Sequence, residues 1–251
     1  MKKVFLFILV AIGLAACERT EFEQLTKVSS TGTENGYEYV DMGTSVMWAT
    51  CNVGTSTPNT YGNAYAWGEI YTKNTFNADN YSYYADGNKN ILLKYNTLEA
   101  FGNIDNLTTL EASDDVATQQ MGGAWRMPTA LELQELISKC LLTGAEYNGV
   151  RGIKLTAPNG NVLFLPSENS KPNKITAKNP ADGIAPKAST AILGWRAVYW
   201  SSSLAKESPY NGYGLYVNFS YVSTEDRSWT DQGVQPYSRA DGYCIRAVCK
   251  K

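Results

Sequence analysis

The clearest local element in this chain is a helix that announces both of its ends. Thr129-Ala130-Leu131-Glu132 matches a capping box, in which the Thr129 hydroxyl and the Glu132 carboxylate satisfy free N–H groups of the first turn. Pro128 is placed to pack on Leu133 as a staple. Leu133, Leu136, Ile137 and Cys140 then fall at i, i+3, i+4 and i+7, one apolar stripe along one face. Glu135 belongs to the solvated side, and Glu132 with Glu135 reads as helix furniture rather than as a catalytic pair. A shorter helix is expected upstream, where Ser113 supplies a cap and Asp114 and Asp115 place negative charge against free N–H groups. There Val116, Ala117 and Met121 face a core before Gly122-Gly123 stops the turn.

Around these two helices the chain reads as short extended runs. Tyr37 to Met42 alternates, Val46 to Val53 follows, and Gly152 to Leu155 is joined to Val162–Pro166 through Pro158-Asn159-Gly160-Asn161, a strong hairpin signal. Later come Ala197 to Trp200, then Gly214 to Phe219 with Leu215, Val217 and Phe219 pointing inward, and a last strand from Tyr243 to Cys249. Residues 54–62, 77–90, 167–190 and 222–241 read as polar loops. Six Trp, 17 Tyr and 21 Gly with only 18% charged residues suit a many-turned, strand-rich exported domain. Strands, two helices, then strands and long loops predict an α+β fold rather than a parallel α/β sheet.

The N-terminus carries an address. Met1-Lys2-Lys3, an apolar run from Val4 to Leu14 and small residues before Cys17 describe a secretory signal, too short for a membrane span. Leu14-Ala15-Ala16-Cys17 resembles a lipoprotein lipobox, which makes Cys17 the acylated first residue of the mature protein and the lipid bilayer its first partner. The expected organisation is a signal peptide over residues 1–16, a lipidated, flexible spacer over 17–36 and a single domain over 37–251. Glu18, Glu21 and Glu23 loosely resemble the export signals of surface lipoproteins in Bacteroides-type bacteria, which points to the outer membrane and to surface exposure.

Composition removes several chemistries. The chain has no histidine, which excludes the usual triad, histidine acid–base catalysis and histidine-bearing zinc sites. With 22 basic against 24 acidic side chains and no basic stripe, nucleic acid is not an expected partner. Cys51, Cys140, Cys244 and Cys249 permit two disulfides in three pairings, or four buried thiols. Cys244 and Cys249, five positions apart, point to opposite faces of a continuous strand and so seek different neighbours.

The segments Trp48-Ala49-Thr50-Cys51-Asn52-Val53-Gly54, Tyr65-Ala66-Trp67-Gly68-Glu69, Asp114-Asp115-Val116-Ala117, Trp125-Arg126-Met127-Pro128-Thr129, Phe164-Leu165-Pro166, Tyr199-Trp200-Ser201-Ser202 and Ile245-Arg246-Ala247-Val248-Cys249 together resemble the Fibrobacter succinogenes major paralogous domain family. That resemblance implies a C-type-lectin-like fold with two short helices, small antiparallel sheets and long loops. It leaves function open, because the fold carries sugar binders, protein binders and a few enzymes. Calcium-dependent sugar binders of that fold carry Glu-Pro-Asn and Trp-Asn-Asp motifs. Lys171-Pro172-Asn173 and Trp229-Thr230-Asp231 match them only in part, so no cofactor is expected, calcium being the alternative.

Trp48, Trp125 and Trp200 read as core, and Trp67 fits either a core or a surface position. Trp229 stands among Asp226, Arg227, Ser228, Thr230 and Asp231, where an indole flanked by acids suits a sugar-stacking platform. Tyr210, Tyr213, Tyr221 and Tyr237 add rings to that region, and Trp229, Asp231, Asp226, Tyr221 and Tyr237 are the candidate binding residues. Arg126 and Arg246, in apolar company, are each expected to find a carboxylate such as Asp115 or Glu69. The expected function is a non-catalytic envelope lipoprotein that binds a glycan or an extracellular protein. The alternatives are a two-carboxylate glycan hydrolase and a structural component of an envelope or adhesive assembly.

Overall fold

The computed structural model describes residues 23–86, 88–167, 173–174, 192–222 and 227–251; at 173–174, 192–195, 220–222 and 227–229 it describes the backbone. Residues 1–22, with Cys17 among them, and Lys171-Pro172 and Asp226 lie outside the described residues. The described chain is α+β and mostly β.

One four-stranded sheet joins β2 (Gly32–Glu34), β3 (Tyr37–Val40) and β4 (Val46–Ala49) to the last strand, β14 (Val248–Lys250), in the order β14-β4-β3-β2. A second is a meander of β7 (Leu141–Tyr147), β8 (Val150–Thr156) and β9 (Val162–Pro166), to which β1 (Glu23–Leu25) adds in parallel beside β7. The expected hairpin at Asn159-Gly160 is the β8–β9 connection, with Gly160 at φ 82°. Within the expected 17–36 spacer, residues 23–25 and 32–34 are strands β1 and β2. Polar side chains do not prevent a backbone from completing a ladder, and Val28 beside β1 is buried.

The largest sheet runs β10 (Asn173–Lys174), β11 (Ile192–Leu204), β12 (Asn211–Val222) and β13 (Arg227–Ser238), all antiparallel. Here residues 227–238, read from their polarity as loop, are a strand of 12 residues. A small hairpin, β5 (Tyr84–Ala85) with β6 (Asn88–Leu92), likewise starts within the predicted 77–90 loop and runs past its end.

The two helices form where expected. In α1 (Val116–Met121) the cap is Asp115, not Ser113: its carboxylate accepts from the Thr118 N–H, while Ser113 donates to Asp114. Asp115 also takes the Met127 N–H at 2.8 Å, which ties the cap to the segment before α2. α2 (Ala130–Lys139) carries the full capping box of Thr129 and Glu132 and buries Leu133, Leu136 and Ile137.

Strand alternation places the two cores. On one face of the large sheet Ala197, Tyr199, Leu215 and Val217 meet α2, β8 and β9. On the other, Val198 and Trp200 join Trp67, Trp125, Tyr65 and Tyr95 in an aromatic core. Cys244 lies in the first core and Cys249 in the second, so the predicted divergence holds although no continuous strand links them. Trp48, Trp67, Trp125 and Trp200 are all buried, and each indole N–H has an acceptor: Thr44, Ser201, Glu34 and Tyr65 respectively. An indole buries roughly 150–250 Å², so these four supply much of the apolar driving force.

Glu135 fastens α2 to the turn before β4. Lys139 Nζ lies 2.8 Å away, and Ser45 donates its hydroxyl at 2.6 Å and its backbone N–H at 3.0 Å. These bonds, Lys139 first, hold its carboxyl down to about 2 against an ordinary 4.5. A carboxyl depressed by folding stabilises fully above its unfolded value and loses that contribution as pH falls through its folded one. Glu135→Gln is therefore expected to cost about 1 kcal/mol at pH 7 and nothing below pH 2, read as urea midpoints across the acid range.

Candidate binding site

The register of the large sheet decides which predicted binding residues can act together. Asp231 stands opposite Asn218, which stands opposite Arg196; one step along, Trp229 stands opposite Ser220, and Tyr237 opposite Gly212. Positions 229, 231 and 237 alternate onto one face with Arg196, Tyr216 and Asn218. Tyr221, opposite Ser228, falls on the other face, and Asp226 lies outside the described residues. Three of the five candidates thus share a face.

That face changes character along its length. Near Trp200 it is aromatic: the Tyr237 ring packs edge-on against Trp200 and Tyr243, with centroids 6.4 and 5.3 Å away. Gln235 donates to the Tyr237 hydroxyl at 2.7 Å, and the Tyr243 hydroxyl donates to Asp241 at 3.3 Å. Further out, Arg196, Asp231 and Gln235 are exposed and Tyr216 and Asn218 half-buried. Burial raises the Asp241 carboxyl, and the Arg196 charge opposes that rise. Burial also raises the Tyr216 phenol, which Asp231 reinforces and Arg196 counters. Chemically the face offers phenol rings beside a guanidinium, two carboxylates and two amides, the mixture that a polyhydroxylated ligand requires.

The remaining candidates hold structure. Arg126 binds Glu132 through both terminal nitrogens, at 2.8 and 2.6 Å, rather than Asp115 or Glu69. Glu132 is a better partner because the capping box already holds its carboxylate, which accepts the Thr129 N–H at 2.8 Å. Arg246 corrects the carboxylate expectation outright. Its guanidinium, 1% exposed, donates to Asn52 Oδ1 at 2.8 Å and to the carbonyls of Ala49, Thr50 and Phe164 at 3.1, 2.6 and 2.9 Å. The end of β4 and the open edge of β9 present those carbonyls, and a fork of donors satisfies them as a carboxylate could not. Glu69 is buried against Lys73 and the Ser82 N–H, each at 2.7 Å. Asp114 takes Lys94 and the Tyr95 hydroxyl.

The sequence reading missed Arg239, which is fully buried. It lies 4.9 Å from the Trp67 ring centroid and within 5.7 Å of those of Tyr81, Tyr83 and Tyr95. No local signal marks it, since the cage residues lie about 145 to 170 positions away. Trp67 is therefore a core residue.

Cys51, Cys140 and Cys249 are free thiols, and the Cys244 thiol donates to the Val198 carbonyl at 3.5 Å. Burial pushes Cys140 up to about 11 and raises Cys249. Cys51 is half-buried and lines a groove of about 450 Å³ between the β2–β3 turn, residues 49–58 and the end of α1. Among the described residues no three Cys, Asp or Glu side chains converge in a way that would hold a metal ion. No described helix is long and apolar enough to cross a membrane. No protein-family model, no curated protein and no solved structure matches the chain.

Proposed function

We propose that the protein is a non-catalytic cell-envelope lipoprotein, held by an acylated Cys17, that binds a glycan or an extracellular protein through the exposed end of this face of its largest sheet. The observation that carries this reading is the register that gathers positions 229, 231 and 237 with Arg196, Tyr216 and Asn218 on one face. The employment of other acids agrees with it: Asp115 caps a helix, Glu132 and Glu69 hold cations, and Glu135 fastens a turn. A C-type-lectin-like arrangement belongs to the same proposal. It is supported by Arg126-Met127-Pro128-Thr129 opening α2 and by β14 returning to pair with β4.

Titration calorimetry of the full chain in detergent against a panel of glycans tests the assignment. Trp229→Ala and Asp231→Ala are each expected to weaken binding at least about tenfold, which corresponds to 1.4 kcal/mol. Binding unchanged in both variants would remove the face as the site. Release of shorter sugars during the titration would favour the hydrolase alternative, whose two acids must lie within about 5–10 Å of each other.

A further inference from the structure

β13 is the last strand of the large sheet, and no described strand pairs with its outer edge. The direction of its backbone groups follows from one bond beyond the strand end. The Arg239 N–H donates to the Tyr210 carbonyl, and the β12–β13 register continues that pairing through Tyr237 and Gly212. Odd-numbered residues of β13 therefore bond to β12, and the N–H and C=O groups of Ser228, Thr230, Gln232 and Val234 point away from the sheet, while the Ser238 carbonyl takes the Asp241 N–H at 3.0 Å. Pro236 occupies an outward position as well, the place where a strand tolerates a missing donor. Asp231, Gln232, Gln235 and Pro236 are exposed, so solvent reaches this edge.

We infer that β13 pairs antiparallel with β13 of a second copy of this chain, with Gly233 on the two-fold axis. Outward groups must meet outward groups, so even positions pair with even ones and the allowed registers differ by steps of two. Centring on position 231 opposes Asp231 to itself, a like-charge contact. Centring on 232 sets Trp229 against glutamine. Centring on 233 sets Trp229 against Tyr237 and Asp231 against Gln235. It also uses the stretch from Thr230 to Pro236 in both copies. Both favourable pairs fall at positions that share no hydrogen bonds, where side chains approach most closely. At the axis two glycines meet, and a Cβ at Gly233 would touch nothing within 4 Å. Pro236 costs each copy one donor and leaves the other outward donors in place. The pairing would join two large sheets into one and continue the polar-aromatic face across the axis, whatever that face binds.

Sedimentation of the full chain in density-matched detergent, at concentrations up to about 100 μM, is expected to give the mass of two chains in the micromolar range typical of such contacts. Gln232→Pro removes an outward donor without touching the β12 ladder and is expected to shift dissociation at least tenfold. A one-chain mass throughout would overturn the inference. In a Cys51→Ser background, Gly233→Cys should form a disulfide-linked dimer on mild oxidation, because facing Cα atoms at such a position lie about 4.5 Å apart. Gln235→Cys, which faces Asp231 of the other copy, should not. Equal cross-linking at both positions, or none at 233, would refute the pairing even if the proline variant does not fold.

Discussion

Arg239→Met is expected to destabilise the protein by about 4 kcal/mol, although methionine fills much of the same volume. The arginine Nε donates to the Tyr81 hydroxyl at 2.8 Å, and its terminal nitrogens donate to the carbonyls of Pro209, Tyr95 and Lys94 at 3.0, 3.3 and 3.1 Å. Replacing a buried ion pair with apolar residues is often harmless because both charges leave together. Here only the donor would leave. Three main-chain oxygens would stay buried, each exposed to a penalty of about 1–3 kcal/mol, softened by rearrangement, while the Tyr81 phenol keeps its bond to the Trp67 carbonyl at 2.7 Å. The four rings add a cation–π attraction of about 0.5–2 kcal/mol. Arg239→Lys keeps the charge and loses the fork, so about 2 kcal/mol is expected. Urea unfolding of the two variants checks the order, and a methionine variant within 1 kcal/mol of the parent would show that the cage does not depend on its guanidinium.

The second large effect belongs to Arg246. Its four acceptors come from residues 49–52 and from β9, so one side chain ties the end of β4 to the meander. Burial pulls the guanidinium below its usual pKa, yet arginine stays charged at neutral pH. Arg246→Met is expected to cost about 4–5 kcal/mol, and Asn52→Ala about 2, since the amide also reaches the Tyr61 carbonyl at 2.7 Å. Combined, the two losses should fall short of their sum by at least about 1 kcal/mol, because Asn52 and Arg246 share a bond. Strict additivity in denaturant titrations would count against the cradle. Hydrogen exchange should rise first around residues 49–53 and at Phe164 in the methionine variant, ahead of α2.

The two arginines also show why the sequence was legible in some places and silent in others. Arg246 draws attention because Ile245, Ala247 and Val248 surround it, and neighbours along the chain report burial well. They do not report the partner. A rule that buried cations seek carboxylates fails where a strand end and a strand edge converge and leave carbonyls that need donors. Arg239 sits between Ser238 and Ala240, and its cage is assembled from three distant segments, so nothing nearby distinguishes it from a surface arginine. Residues 227–238 misled in the opposite way. Their polarity belongs to an edge strand with one open side, and alternation is hard to see when both faces near the rim are solvated.

What the amino-acid order determined by itself was local. It set the capping box at Thr129 and Glu132, the apolar stripe of α2, the Asn159-Gly160 hairpin and the inward alternation of Leu215 and Val217, because each depends on contacts within a few residues. Tertiary structure decided which strands neighbour one another, which carbonyls each buried guanidinium meets and which face Trp229, Asp231 and Tyr237 share. Those outcomes depend on register between segments far apart in the chain, and a shift of one residue would send every side chain to the opposite face.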